Sequence, residues 1–356
     1  MDSAQEYRLM RWALQSAARD LMPGERVCKC LRRLIPGLDS VRVMYSPSVS
    51  RAHYKNLIVC GSVWMCPLCG GKISERRRVE LSGAIDDKDF RTMLVTFTLQ
   101  HSWDVPLKSS LDGLMDGLKF LLYHRHWREF VNDYGFVGSV RSLEVTHGFV
   151  NGWHPHSHSL LLFESGTRFD AEIESSLKQM WLDALGHFEH SASYERGCDV
   201  RTAEKDVADY VAKWNREPLD KKRPKKWTQE HELTKSAVKV SRAREHRTMN
   251  QLLLDYLHGD KMAGSLWQEY ARVFKGRKQL VWSHGLRKKL GLGVDQSDLE
   301  IAKRIEQDAI LLARLTLREW RVVLANDARG ELLEVASSGD FAKVQKFLRS
   351  IGAGSF

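Results

Sequence analysis

Apolar positions recur every three or four residues over residues 5–22 and again over 25–34, the spacing of helices that bury one face. The stretch "VRVMYSPSVSRAHYKNLIVC" breaks that rhythm and predicts two strands joined by a turn. A basic helix, "ERRRVELSGAI", is expected next. From residue 92 the pattern becomes strand and helix in turn. "TMLVTFTLQ" reads as a buried strand, and "LDGLMDGLKFLLYHRHWREFVNDYG" as one long amphipathic helix ending at a glycine. "VGSVRSLEVTHG" and "WHPHSHSLLLF" read as a strand pair across the turn "FVNG". A helix, "DAEIESSLKQMWLDALG", a short strand, "GCDVRTA", and a further helix, "AEKDVADYVAKW", follow.

The order β-α-β-β-α-β is that of a split βαβ unit. It predicts an α+β protein with a ferredoxin-like (RRM-like) antiparallel sheet, helices covering one face and the other face free to carry a site. The expected division is 1–90 for an N-terminal cysteine-bearing segment with the basic helix and 91–214 for the sheet domain. A basic, proline-interrupted linker or arm would span 215–250, and a mostly helical region 251–356. In that last region "DLEIAKRIEQDAILLARL" is read as a helix.

With 356 residues, 43% of them hydrophobic, the chain can bury the cores of two or three compact units. No run of eighteen apolar residues exists, and "MDSAQEYRLMRWALQSAARD" lacks the apolar centre and cleavage site of a signal peptide. A soluble cytoplasmic protein with no membrane partner is therefore expected. A net charge of +10 suits a polyanionic partner, although such an excess also serves solubility alone. Two basic stretches are candidate DNA contacts. One is Arg76, Arg77 and Arg78. The other is Lys221, Lys222, Arg223, Lys225 and Lys226, with Trp227 able to stack on a base. A solvated linker is the competing reading of the second.

Cysteine usage adds a metal site. Five of the six cysteines fall in the first seventy residues, and in a reducing compartment clustered thiols are more often ligands than disulfides. Cys66-x-x-Cys69, with Cys60 six residues before Cys66, has the spacing of a zinc knuckle. Cys30 is the preferred fourth ligand, Cys28 its alternative and His53 the outsider, for one structural Zn²⁺. Cys198 stands apart and is expected in a core.

A second site is written into "GWHPHSHSLLLF". Side chains alternate faces along a strand, so His154, His156 and His158 share one side. If the hairpin turn centres on Val150, Glu144 lies opposite His156 and points to the same face. Two imidazoles and a carboxylate then converge on one cation, and such a set suits Mn²⁺ or Mg²⁺, with Zn²⁺ also admissible. A one-residue shift would send Glu144 to the other face. His101 and His147 are spare candidates. Downstream, Tyr210, Lys213 and Asp206 share one face of the helix "AEKDVADYVAKW". A tyrosine is a poor nucleophile unless a cation or base favours its anion. Lys213 can supply that charge, and Asp206 can take a proton from water. The same spacing also arises where an aromatic merely sits at a core edge beside a solvated lysine.

The segments "LVTFTLQHS", "EVTHGFVNGWHPHSHSLLLF" and "DVADYVAKW" together resemble the three ordered motifs of HUH endonucleases. More narrowly, the chain is similar to the rolling-circle replication initiator (Rep) proteins of small bacterial plasmids. "CGSVWMCPLCGGKISERRR" before these motifs, and "ELTKSAVKVSR" and "VFKGRKQLVWSHGLRKKLGL" after them, extend the likeness over roughly residues 25–292. The resemblance implies that His156 and His158 are the metal-binding pair and that Tyr210 is the nucleophile. The tyrosine would cut single-stranded origin DNA, leaving a 5′-phosphotyrosine and a 3′-OH that primes synthesis. Single-tyrosine relatives commonly carry a glutamate four residues before the tyrosine. Asp206 occupies that position here, one methylene shorter, and Glu204 and Asp209 are the other nearby carboxylates. An origin hairpin, a host helicase and a host polymerase are the implied partners. The alternatives are an HUH-type transposase or mobilisation relaxase, and a non-enzymatic zinc-containing DNA-binding repressor.

Overall fold

The computed structural model describes residues 3–86, 90–169, 171–203 and 246–354. Within them the chain forms two compact units. One combines residues 3–73 with 296–354, and the other holds the described residues between 74 and 295.

The first unit is built on helix α1 (Ser3–Leu21), which buries Tyr7, Leu14, Ala17, Ala18 and Leu21 at helical spacing. Strands β1 (Ser40–Ser46) and β2 (Arg51–Lys55) form the expected hairpin. The third strand, β9 (Ile310–Thr316), arrives from far along the chain and pairs antiparallel with β1, Ser40 opposite Thr316. Helices Leu317–Ala325, Arg329–Ala336 and Phe341–Ser350 follow it. Their core includes Val41, Val43, Tyr54, Leu315, Trp320 and Leu332. Arg329, fully buried, donates to Gln15 and to the Leu31 carbonyl and lies over the Trp12 ring.

Three expectations are corrected here. The first concerns one segment of the mostly helical C-terminal region. "DLEIAKRIEQDAILLARL" yields helix only over Asp298–Lys303 and then β9, because a short apolar run does not distinguish helix from strand until a partner edge is present. The chain also does not divide at 90 and 250, since β9 returns to β1 while residues 246–295 join the second unit. Residues 25–34 form only a single 3-10 turn, Arg26–Lys29. Cys30 is extended, and Leu31 adopts a left-handed φ of 50°.

The second unit is organised by an antiparallel sheet whose neighbours run β6-β3-β5-β4-β7, with β8 also on β4. Its strands are β3 (Phe90–Thr98), β4 (Phe136–Gly148), β5 (Gly152–Glu164), β6 (Cys198–Ala203), β7 (His246–Arg247) and β8 (Leu280–Trp282). Helices α3 (Leu107–Tyr123) and α4 (Arg125–Asp133) replace the single long helix expected. The break falls at His124, whose backbone is extended and whose side chain caps α4, Nδ1 accepting from the His126 amide. Helix α5 (Ala171–Gly186) follows β5. Cys198 is buried in β6.

One sheet face packs on α3 and α5. Phe97 meets Trp181 at 5.0 Å, and Trp181 donates its indole N–H to the Thr98 carbonyl. Helix Lys261–Phe274 ties this layer to the hairpin, because Glu269 accepts from both Trp153 Nε1 and the Leu107 amide. The opposite face is not wholly free. Leu160, Leu162, Leu94 and Val140 are covered by Leu81 and Ala84 from helix α2 (Pro67–Asp86) and by Leu280, Leu286 and Leu290. Apolar residues fill that face towards the Glu164 end of β5, and the histidines occupy the end nearest the hairpin turn.

The turn itself is tight. Gly152 has φ +69°, and a Cβ there would lie 2.8 Å from Trp103 Cα, so the segment after β3 closes against the hairpin only because the side chain is missing. Gly152→Ala should lower the unfolding free energy by about 1–3 kcal/mol, combining left-handed strain with the clash. Gly259→Ala, at φ +100° in open space, carries strain alone and should cost less in the same urea denaturation experiment.

Candidate functional site

The β4–β5 register pairs Gly148 with Gly152, His147 with Trp153 and Glu144 with His156, the turn centring on Val150 as expected. Glu144, His156 and His158 therefore share a face, and their side chains meet. Glu144 Oε2 lies 3.2 Å from His156 Nε2 and 3.1 Å from His158 Nε2. These three residues form one of two groups among the described residues that could hold a metal ion.

Strand β3 sets the orientation of the rings. Thr96 is opposite His158 and Thr98 opposite His156. Thr96 Oγ1 sits 3.0 Å from His158 Nδ1, and Thr98 Oγ1 sits 2.9 Å from His154 Nε2. These threonines were not singled out from the sequence. The alternation in "VTFT" carries their signal, since it matches the histidine alternation one strand away.

The donor set fits a cation on hydrogen-bonding grounds. His156 Nδ1 is 3.3 Å from the His154 carbonyl oxygen, which only accepts, so the neutral ring keeps its proton on Nδ1. Its Nε2 lone pair then faces a carboxylate oxygen. Two acceptors at this distance need a proton or a cation between them. Cis positions of an octahedral site with bonds of about 2.1 Å lie about 3.0 Å apart, close to the spacings seen. Burial pushes the Glu144 carboxyl up, but His156 and His158 outweigh it and hold it well below the usual carboxylate range. Burial lowers His158, against the opposing pull of Glu144, so this ring favours the neutral, ligating form.

The other histidines have different partners. His154, two residues before His156, is drawn down to about 3 by burial and by His156, His101 and His246. His101 stacks on it at 4.5 Å and donates from Nδ1 to the Asn151 carbonyl. His147 is buried against Arg247 and Trp153, with burial lowering it to about 4. Neither spare candidate joins the Glu144 group.

In the first unit Cys30, Cys60, Cys66 and Cys69 are buried together. Their sulfurs approach at 3.5 Å (Cys30–Cys69), 3.5 Å (Cys60–Cys69) and 3.8 Å (Cys30–Cys66). A tetrahedron of sulfurs about 2.3 Å from a central Zn²⁺ has edges of about 3.8 Å, so the four thiols fit that ion. The Cys60 amide points at Cys30 Sγ, and the Ser62 amide at Cys60 Sγ, as suits thiolates. Hydrogen bonds from Cys30, Cys60 and Cys69 hold the Cys66 thiol far below its ordinary range. The alternatives fall away. Cys28 donates to the Met22 carbonyl, and burial beside Lys72 and Lys55 lowers His53 to about 4, outside the thiol group.

The basic triplet on α2 is corrected in part. Arg76 is exposed, but Arg77 is turned inward to Gln279 and Arg78 pairs with Glu75 at 2.8 Å. Helical periodicity puts adjacent arginines about 100° apart, so three in a row cannot share one surface. Tyr210, Asp206, Lys213, Glu204 and Asp209 lie outside the described residues, as do Lys221, Lys222, Arg223, Lys225, Lys226 and Trp227. Among the described residues no helix is long and apolar enough to cross a membrane.

Comparison with known proteins bears on this arrangement. The profile of a family described as "Replication protein" matches residues 53–300, a span that contains Cys60, Cys66, Cys69, Glu144, His156 and His158. A "Protein rep" of Streptomyces lividans is 27% identical over 323 aligned residues, covering 71% of this chain and 68% of that protein. A "Neomycin resistance protein" of Streptomyces cyanogenus is 29% identical over 147 residues, covering 33% of this chain and 34% of that protein. No solved structure matches. With most of the chain spanned by one profile, this protein belongs to the replication protein family.

Proposed function

We propose that this protein is a rolling-circle plasmid replication initiator that nicks and rejoins single-stranded origin DNA through a phosphotyrosine. The observation that carries the reading is the convergence of Glu144, His156 and His158 on one sheet face, in a chain of the replication protein family. The strand order β6-β3-β5-β4, fourth-first-third-second among these four, supports a ferredoxin-like sheet beneath the site.

In this reading Glu144, His156 and His158 hold Mn²⁺ or Mg²⁺. A divalent cation so held supplies Lewis-acid polarisation of a non-bridging phosphate oxygen. Thr96 steadies the His158 ring from its far nitrogen, the usual task of a residue behind a metal ligand. The Tyr210 oxygen attacks phosphorus and releases its proton, and the bond to the 3′-oxygen breaks. The departing 3′-oxygen takes up a proton to become the primer hydroxyl. Lys213 favours the phenolate and the phosphate, and Asp206 accepts a proton from the water that attacks in the terminating cut. The energy of the broken ester is kept in the phosphotyrosine, so rejoining needs no ATP. The Cys30, Cys60, Cys66 and Cys69 thiols hold a structural Zn²⁺ that fastens the N-terminal segment.

A stem-loop oligonucleotide incubated with Mn²⁺ should be cut and leave protein attached to its 5′ end. Tyr210→Phe should abolish the adduct while DNA still binds. An adduct mapped by mass spectrometry to Tyr194 or Tyr256 would contradict the assignment, and the absence of any cut would contradict the enzymatic reading in favour of a binding protein.

His156→Ala combined with His158→Ala should remove divalent-ion-dependent nicking without unfolding the sheet. Thr96→Val should raise the Mn²⁺ concentration needed for half-maximal nicking roughly 10- to 100-fold. Titrations that coincide with the parent would exclude these residues from the site.

Elemental analysis should find about one zinc per chain. Cys66→Ser should lower both zinc content and melting temperature, whereas Cys28→Ser should change neither. Full stability in zinc-free protein would refute the structural role.

A further inference from the structure

The tip of the β4–β5 hairpin carries large apolar side chains where tight hairpin turns ordinarily carry polar residues and glycine. Phe149 is 50% exposed and Val150 83% exposed. Trp103, also 50% exposed, comes from the segment after β3 that is fastened to the same tip. The fastening is double, through the His101 bond to the Asn151 carbonyl at 2.8 Å and through the close approach that Gly152 permits.

Phe149 is held from behind. The Arg247 guanidinium lies over its ring at 4.2 Å from the centroid. Arg247 is only 4% exposed and is itself fixed by Asp260 at 3.3 Å, Asp255 at 3.6 Å and His147 at 3.4 Å. A hairpin does not need a buried, triply tethered arginine to close. The arrangement instead presents one face of a rigid aromatic ring to solvent. On the histidine face the His101–His154 stack leads from this end towards His156. His156 lies four residue steps along the strand from Gly152, about 13 Å.

We infer that this tip is a base-binding ledge for single-stranded DNA, with an unpaired base stacking on the open face of Phe149 and a neighbouring base on Trp103. The inference rests on the proposed reading of the Glu144, His156 and His158 site and adds residues that position its substrate. Every base offers a π-face, so such a ledge tolerates sequence and favours unpaired DNA over duplex. A cation behind the ring and a chain charge of +10 suit a nucleic acid better than an apolar protein surface.

The test uses the full chain and a twenty-nucleotide oligothymidine carrying 5-iodouracil. Irradiation should cross-link the base to the peptide containing Phe149 or to that containing Trp103. Phe149→Ala should weaken oligothymidine binding roughly tenfold without changing the slope of affinity against salt, because stacking releases no counterions. Phe149→Leu should lose as much as Phe149→Ala, and Phe149→Tyr should retain parental affinity; melting curves verify that each is folded. Cross-links confined to other peptides, with parental affinity in Phe149→Ala, would overturn the ledge. Retention of affinity by Phe149→Leu would also overturn it, since that residue keeps the apolar bulk and lacks the ring. A parent protein that fails to bind oligothymidine would instead overturn the reading of the chain as a single-strand enzyme.

Discussion

The antiparallel register of the β4–β5 hairpin is the constraint from which the candidate site follows. Glu144 meets His156 because both lie six residues from Val150. Period-two alternation then brings His158 onto the same face, and the β3 pairing delivers Thr96 behind it. A single-residue slip would turn Glu144 into the layer packed on α3 and α5, leaving a carboxylate in a core and two imidazoles without their partner. The register is protected on both sides. Leu160 and Leu162 are locked into an apolar cluster, and Trp153 is tied to Glu269. Packing energy spent far from the histidines thus fixes which atoms converge.

The site occupies only part of its sheet face. Leucines from β5 and the Leu81–Ala84 stretch of α2 close the end towards Glu164, while the polar triad keeps the end beside the turn. The ionisable groups of the triad are partly withdrawn from water, so their interactions with a charged ligand are stronger than at an open surface. The thiol group in the first unit follows a different logic. Four buried sulfurs, all within 4.8 Å of one another, repel as thiolates, so the cluster is stable only when a cation or protons are shared among them.

Much of this was legible from residues alone. Alternation gave the histidine face, symmetry about the turn gave Glu144, and cysteine spacing gave Cys60, Cys66 and Cys69. What resisted were features decided by distant partners. Strand β9 reads as part of a helix until β1 offers it an edge, and Arg77 looks like its neighbours until Gln279 receives it. The break at His124 is equally hidden, because apolar spacing continues across it while the backbone turns. Thr96 and Thr98 are inconspicuous in the sequence because hydroxyls in a buried strand usually signal packing, and only the neighbouring strand reveals their contacts. Phe149 and Val150 read as turn residues in the sequence, their exposure being a property of the folded hairpin.

The central claim is that Glu144, His156 and His158 share one divalent cation. Anomalous diffraction at the manganese edge, from crystals grown with Mn²⁺ and a single-stranded oligonucleotide, tests it directly. The expected result is a peak within about 2.3 Å of a Glu144 carboxylate oxygen and both Nε2 atoms. A map with no peak between those three side chains, or with manganese bound only elsewhere, would contradict it.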